Sequence, residues 1–236
     1  MRKARSRSCA TPRAISFGKG ARVNIAILGG TGKEGAGLAG RWAMAGHSII
    51  IGSRDRERAK AKAAELRETT RKMPIMGESN AEAAKLGVVV VLAMPAQGLA
   101  ATLPEVSEAC RDKIVISTVV ALTFGGPRLY TPPSAGSSAE EAQALLPGAK
   151  LVAAFHHIAA HELAETDHPI ECDLLLCGAD EAAKETVAEL GRSMGLRPVD
   201  VGPLSNAGPL EGITAILATI NRRYKLKNSG IKITGL

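Results

Sequence analysis

Three observations predict an α/β fold: a doubly wound, mainly parallel sheet with a small C-terminal helical annex. From residue 23 onward, apolar runs of strand length alternate with helix-length patterns. The run at residues 88–93 is continuous and β-branched, as in a central parallel strand buried on both faces. The first apolar run passes directly into a glycine-rich turn that opens a helix.

The elements follow in order. Residues 23–28 form the first strand, and Gly29-Gly30-Thr31-Gly32-Lys33-Glu34-Gly35 leads into an alanine-rich helix. A second strand, residues 48–51, ends in Gly52-Ser53-Arg54. Residues 55–70, rich in Ala, Glu, Lys and Arg, predict a helix. A loop through Met73-Pro74 follows, then a short helix at 81–86 capped by Asn80. The strand at 88–93 ends at Met94-Pro95-Ala96-Gln97, where chain leaving a parallel strand commonly borders a ligand. Residues 99–109 are helical and 113–117 form the next strand.

Residues 118–138 are Gly-, Pro- and Ser-rich without periodicity, as in a lid, a binding loop or a simply mobile segment. A short helix at 138–145 carries Glu140 and Glu141 in its first turn. The strand at 151–155 runs into His156-His157-Ile158. A strand at 173–177, a helix at 181–194 and a strand at 197–201 complete the alternation. Gly202-Pro203 breaks the chain before a last helix, 210–224, and a polar turn to residues 231–236. The expected organisation is a basic leader at 1–22, a dinucleotide-binding domain of Rossmann type at 23–201, and an annex at 202–236 that completes its pocket.

The spacing Gly30-x-Gly32-x-x-Gly35 has a reason at each position. The first glycine allows a sharp turn off the strand, the second lets the backbone approach a pyrophosphate, and the third lets the helix pack against the sheet. Unpaired amides at the helix start and the helix dipole favour the phosphate charge. The second strand selects the cofactor. NAD sites place Asp or Glu about 20 residues after the glycines to bind a ribose hydroxyl. Here Ser53 and Arg54 stand there, with Arg58 one helical turn further on. A hydroxyl with forked guanidinium donors suits a 2′-phosphate, so the expected cofactor is NADP(H). Asp55 is expected to cap the helix that follows, while Arg56, Lys60 and Lys62 suit a solvated face.

Composition narrows the classes. The formal charge is +7, yet residues 1–22 hold seven Lys or Arg and no acid. The rest carries 23 basic against 23 acidic residues, so the folded part gives no reason to expect nucleic acid. The leader has no apolar core of a secretory signal and is expected to be a disordered tail or to stem from an upstream start codon. No apolar stretch reaches the roughly 18 residues of a membrane span. The four cysteines, Cys9, Cys110, Cys172 and Cys177, lack C-x-x-C spacing and read as reduced thiols of a cytoplasmic protein. His157 and His161 are four apart with no acid between them, and no metal site is expected. A helical annex this small leaves apolar surface that suits a homodimer.

The glycine turn, Gly52-Ser53-Arg54, Met94-Pro95, Phe155-His156-His157-Ile158, Gly202-Pro203-Leu204-Ser205-Asn206 and Gly230-Ile231-Lys232 together resemble the F420-dependent NADP oxidoreductases. The resemblance runs from residue 23 to the C-terminus. It implies hydride transfer between C4 of NADP(H) and C5 of a deazaflavin, coenzyme F420, as co-substrate. It also implies that Thr31, Gly32, Lys33 and Glu34 contact the pyrophosphate and its surroundings, and that Ser53, Arg54 and Arg58 hold the 2′-phosphate. Met94, Gly98, Val120 and Ala160 would line the ribose and nicotinamide, and Ser229 would close the pocket. Arg58 stands where the family usually has lysine. His156 matches a family histidine near the deazaflavin, whereas His157 and Ala159 replace the Thr and Pro of an H-T-I-P form.

Hydride transfer needs two flat rings held face to face, with positioning supplying most of the catalysis. No nucleophile, metal or acid–base pair is required, and the sequence offers none. Small residues (Ala93, Ala96, Gly98, Ala153, Ala154, Ala159, Ala160) at strand ends suit close approach of rings or ordinary tight packing. His156 reads equally as a substrate contact or as a structural histidine tied to a backbone carbonyl. Two alternatives stand beside the deazaflavin reading. One is an NADPH-dependent imine, ketone or pterin reductase; pyrroline-carboxylate and ketopantoate reductases rely on a large C-terminal helical domain, and only about 35 residues follow Gly202 here. The other is a non-catalytic NADP(H) sensor.

Overall fold

The computed structural model describes residues 22–70 and 73–236, so the predicted leader, Arg22 apart, lies outside the described residues. In chain order the elements are β1 (Asn24–Leu28), α1 (Lys33–Met44), β2 (Ser48–Ser53), α2 (Arg56–Thr69), β3 (Ile75–Ser79), α3 (Asn80–Leu86), β4 (Val89–Leu92) and α4 (Leu99–Cys110). Then come β5 (Ile114–Ser117), α5 (Ser138–Leu145), β6 (Lys150–Ala154), α6 (Ala160–Ala164), β7 (Asp173–Gly178), α7 (Glu181–Arg192), β8 (Arg197–Asp200) and α8 (Ala207–Tyr224). Eight strands form one sheet in the order β3-β2-β1-β4-β5-β6-β7-β8. Every neighbouring pair is parallel except β6 with β7. The chain winds outward from β1 through β2 to β3, then restarts on the other side at β4. The crevice between the ends of β1 and β4 is therefore the switch point at which such sheets bind ligands.

Strand residues alternate between two aliphatic cores. Ile25, Ile27, Val89 and Val91 pack under α1, α2, α6 and α7 with Trp42 and Phe155. Ala26, Leu28, Val90 and Leu92 pack under α3, α4, α5 and α8. Trp42 meets Phe155 edge to face at 5.3 Å, and its indole N–H donates to Leu190 O at 3.1 Å. With aromatic content of only 3%, this pair is the main ring contact of the core.

Four local readings are corrected. Residues 75–79, taken within a loop, pair with β2 as the edge strand β3. Ser79, not Asn80, caps α3 by accepting from Glu82 N. Asn80 is the first helical residue, and its Oδ1 instead accepts from Gly29 N at 3.4 Å. The short helix α6 was not expected, and α8 begins at Ala207 rather than Leu210. Pro209 sits in the first turn of α8, where its missing N–H would have had no helical partner.

Candidate functional site

The glycine turn is built by backbone crowding. Gly29 takes the positive φ, +74°, and a Cβ there would lie 2.8 Å from Ala93 O. Gly30 N donates to Ile27 O and Gly52 O, both at 3.1 Å, and a Cβ on Gly30 would meet Ile27 O at 2.7 Å. A Cβ on Gly35 would lie 2.7 Å from Gly30 Cα, so this glycine seats α1 against the turn. Gly32 is different: its nearest neighbour, Gly29 O, is at an ordinary 3.5 Å. The protein itself does not crowd that position, and the turn leaves a cradle beside it. No side chain caps α1. Its first-turn amides thus have no side-chain cap, the usual setting for a phosphate.

At the end of β2, Ser53 is buried and its Oγ accepts from Asp55 N at 3.2 Å. Asp55 caps α2, accepting from Glu57 N and Arg58 N. The cations here divide in two. Arg56 pairs with Glu78 at 2.8 Å, Lys60 with Glu57 at 2.8 Å and Lys62 with Glu65 at 2.5 Å. Arg54 and Arg58 are exposed, and their side chains meet no acid among the described residues. Two free guanidinium groups are thus left beside the buried Ser53 hydroxyl.

A cavity of about 970 Å³ opens from the glycine turn. Thr31, Gly32, Lys33 and Glu34 line it together with His156, Ala160 and Ser229. Ser53, Arg54 and Arg58 lie outside its walls, Ser53 and Arg54 at the end of β2 and Arg58 in the first turn of α2. Met94, Gly98 and Val120 also lie outside its walls. Met94 packs beneath the turn, its Cβ 2.9 Å from where a Gly29 Cβ would stand, and Gly98 follows in a short 3-10 turn. The cavity wall adds residues the sequence did not single out: Leu122 and Phe124 from the irregular loop, and Thr214, Leu217 and Asn221 from α8. Thr214 and Asn221, two turns apart on one face of α8, are the signal that was available. The loop is closed by an antiparallel bridge between Leu122 and Tyr130. Its base is held by Glu211, buried on α8, which accepts from Ser138 N and Ala139 N at 3.1 Å and from the Tyr130 hydroxyl at 3.2 Å.

The far wall is held by α1 itself. Gly37 lets α6 approach so closely that a Cβ would lie 2.6 Å from Leu163 Cβ. The buried Arg41 donates to Glu162 O at 2.7 Å, His168 O at 2.9 Å and Leu163 O at 3.3 Å, and also to Glu165 O. Asn228 donates to Glu162 Oε1 at 2.7 Å. Ser229 N donates to Asn221 Oδ1 at 3.0 Å, and Ser229 Oγ donates to Leu217 O at 3.2 Å. These bonds fix Ala160 and Ser229 relative to the turn. Glu162, Glu165 and His168 bring ligand-type atoms within 4.8 Å of one another, but Asn228 and the Glu165–His168 contact at 2.8 Å already engage them.

The two histidines divide the roles left open for one. His157 is tied to the backbone, with Nε2 2.9 Å from Asp173 O. His156 is buried with neither ring nitrogen hydrogen-bonded. Burial, aided by the neighbouring His157, pushes it down to about 3, so it is neutral; the Ala154 and Leu210 backbone groups oppose the shift without reaching bonding geometry. Phe155, immediately before it, has φ of +67°, a strained backbone for a bulky residue. That bend turns the chain from β6 into the cavity wall.

Residues 24–121 match the family described as NADP oxidoreductase, coenzyme F420-dependent. The chain is 40% identical over 223 residues to the F420-dependent NADP reductase of Methanocaldococcus jannaschii, covering 91% of this chain and 99% of that one. The chain belongs to the F420-dependent NADP oxidoreductase family. The enzyme of the same name from Methanothermobacter thermautotrophicus is 38% identical over 91% of this chain and 96% of its own. Among solved structures, a candidate F420-dependent NADP reductase from Arthrobacter sp. FB24 superposes with a TM-score of 0.78 at 26% identity. It covers 90% of this chain and 99% of that one. The relatives therefore span the glycine turn, the histidine wall and α8 alike.

Proposed function

We infer that this protein is an oxidoreductase that transfers a hydride between NADP(H) and coenzyme F420. The observation that carries the inference is near-full-length identity to F420-dependent NADP reductases, in a chain whose glycine turn opens into a cavity that also meets His156 and Ser229. The residues fit the cofactor. The uncrowded Gly32 and the uncapped α1 suit a pyrophosphate, with Gly30 and Gly35 shaping the turn and Thr31, Lys33 and Glu34 beside it. The unpaired Arg54 and Arg58 flanking Ser53 suit a 2′-phosphate.

NADP(H) supplies the hydride on its nicotinamide, and F420 takes it on its flat deazaflavin. The chain's own task is to hold the two rings together and dry. Met94, Gly98, Val120 and Ala160 border the nicotinamide half in this reading, and Ser229 closes the pocket. The neutral His156 imidazole offers one donor and one acceptor to a polar ring edge. Residues 202–236 act as the annex that completes the pocket, supported by Thr214, Leu217 and Ser229 in its wall. The outer face of α8 exposes Ile216 (60%) and Tyr224 (65%), which supports a homodimer formed there. Among the described residues no helix is long and apolar enough to cross a membrane, which is compatible with the cytoplasmic location we propose. The partners are small molecules, without nucleic acid.

The test is to mix purified protein with NADPH and oxidised F420 and follow deazaflavin absorbance. Loss of that absorbance in step with NADPH consumption is expected. Turnover with a pterin or imine but not F420 would replace the acceptor and keep the cofactor. NADPH binding without turnover of any acceptor would favour a sensor.

A further inference from the structure

Glu34 is an unusual residue for a phosphate-binding turn. The residue is half-buried, and its Oε1 is enclosed without a hydrogen-bond partner. The one polar side chain acting on the carboxyl is Thr118, at the end of β5. Thr118 has already committed its single hydroxyl proton to Leu92 O at 3.0 Å. Its hydroxyl therefore offsets only part of the cost of burying the carboxyl. Burial pushes Glu34 up to about 8, with Thr118 opposing.

Position gives this proton a use, on the reading that the site holds NADP(H). Ser53 and Arg54 draw the adenosine half toward β2. The nicotinamide half must then extend to the other side of the turn, toward the ends of β4, β5 and β6. Thr118, which acts on the Glu34 carboxyl, follows β5 on that side. The oxidised nicotinamide is a cation and the reduced ring is neutral, while the phosphates are common to both.

We propose that the Glu34 carboxyl stays neutral beside NADPH and ionises against NADP+, so that Glu34 sets which redox state the site prefers at a given pH. In the step, the carboxyl O–H bond breaks and the proton leaves to solvent as NADP+ binds; no electrons move. Other titratable groups face the same cavity: Lys33 on α1, Lys62 and Glu65 on α2, His156 and His157 after β6, His161 on α6, and Lys227 after α8. None of them acts on Glu34, whose carboxyl responds only to burial and Thr118.

The experiment is isothermal titration of the full chain with NADP+ and with NADPH, from about pH 6 to about pH 9. Buffers of high and low ionisation enthalpy report protons released. The affinity ratio of NADP+ to NADPH cancels titration of the shared 2′-phosphate. It should rise by up to about tenfold per pH unit toward pH 8 and level off above, with more protons released on binding NADP+ than NADPH. Glu34→Gln should flatten the ratio. A wild-type ratio independent of pH, with both cofactors bound, overturns the proposal alone, and this arm needs no variant to fold. Binding of neither cofactor at any pH overturns the NADP(H) reading and this inference with it.

Discussion

Replacing Arg54 with alanine removes one of two guanidinium groups that the fold leaves unpaired. Arg56, two residues on, is held by Glu78 through contacts of 2.8 and 2.9 Å, and its loss should cost a surface ion pair only. The contrast makes Arg56→Ala the internal control. A charge-assisted bond from guanidinium to phosphate is worth roughly tenfold to a hundredfold in Kd. Arg58 remains to carry part of the charge, so Arg54→Ala should fall in the lower half of that range for NADPH. NADH, which lacks the 2′-phosphate, should bind within about twofold of wild type. Both groups are exposed, so the effect should shrink as salt rises and the Debye length falls below about 8 Å. Fluorescence titration of both cofactors with both variants measures all of this. An unchanged NADPH-to-NADH preference in Arg54→Ala, or an equal loss in Arg56→Ala, would refute the assignment.

Three further outcomes are expected. Gly35→Ala places a Cβ 2.7 Å from Gly30 Cα and should cost about 1–3 kcal/mol in stability and at least tenfold in cofactor affinity; Gly40→Ala, whose Cβ meets only Thr166 at 3.9 Å, should be tolerated in thermal melts. Glu34 is raised from 4.5 to about 8 on folding, so the folded state holds the proton more tightly than the unfolded chain. That stability is fully present below about pH 4.5 and lost as pH rises through about 8; Glu34→Gln should therefore exceed wild type by a few kcal/mol at pH 8 in denaturant titrations and match it near pH 4.5. His157→Gln, which breaks the 2.9 Å tie to Asp173 O, should lower Tm, whereas His156→Gln should leave Tm and NADPH affinity alone and slow F420 turnover.

The alternation of strands and helices, the glycine turn and the cap at Asp55 could be read directly, because each is set by short-range pattern. What escaped depends on contacts distant in sequence. β3 is a five-residue edge strand with glycine at its centre; it forms because Gly77 tolerates α2 at 2.3 Å from where a Cβ would stand, which no local propensity reports. α6 is five residues long, too short for a helical period, and is fixed by Arg41 from another element. The reversed direction of β7 is invisible in an apolar run that would read alike either way. At the site, residue types were legible and their partners were not. Arg54 and Arg56 look alike until Glu78 is placed beside one of them, and His156 and His157 until Asp173 claims the second. Glu34 sat among expected phosphate neighbours, yet its carboxyl turns inward to Thr118.

The most direct test of a shared pocket for both rings follows the hydride itself. NADPH deuterated at C4 on one face, then on the other, is incubated with the protein and oxidised F420, and the reduced deazaflavin is analysed by mass spectrometry and NMR. Direct transfer within one cavity predicts one deuterium at C5 from one face only and none from the other. Reduced F420 whose new C5 hydrogen comes from solvent with either label, or that carries deuterium from both faces equally, would contradict the account.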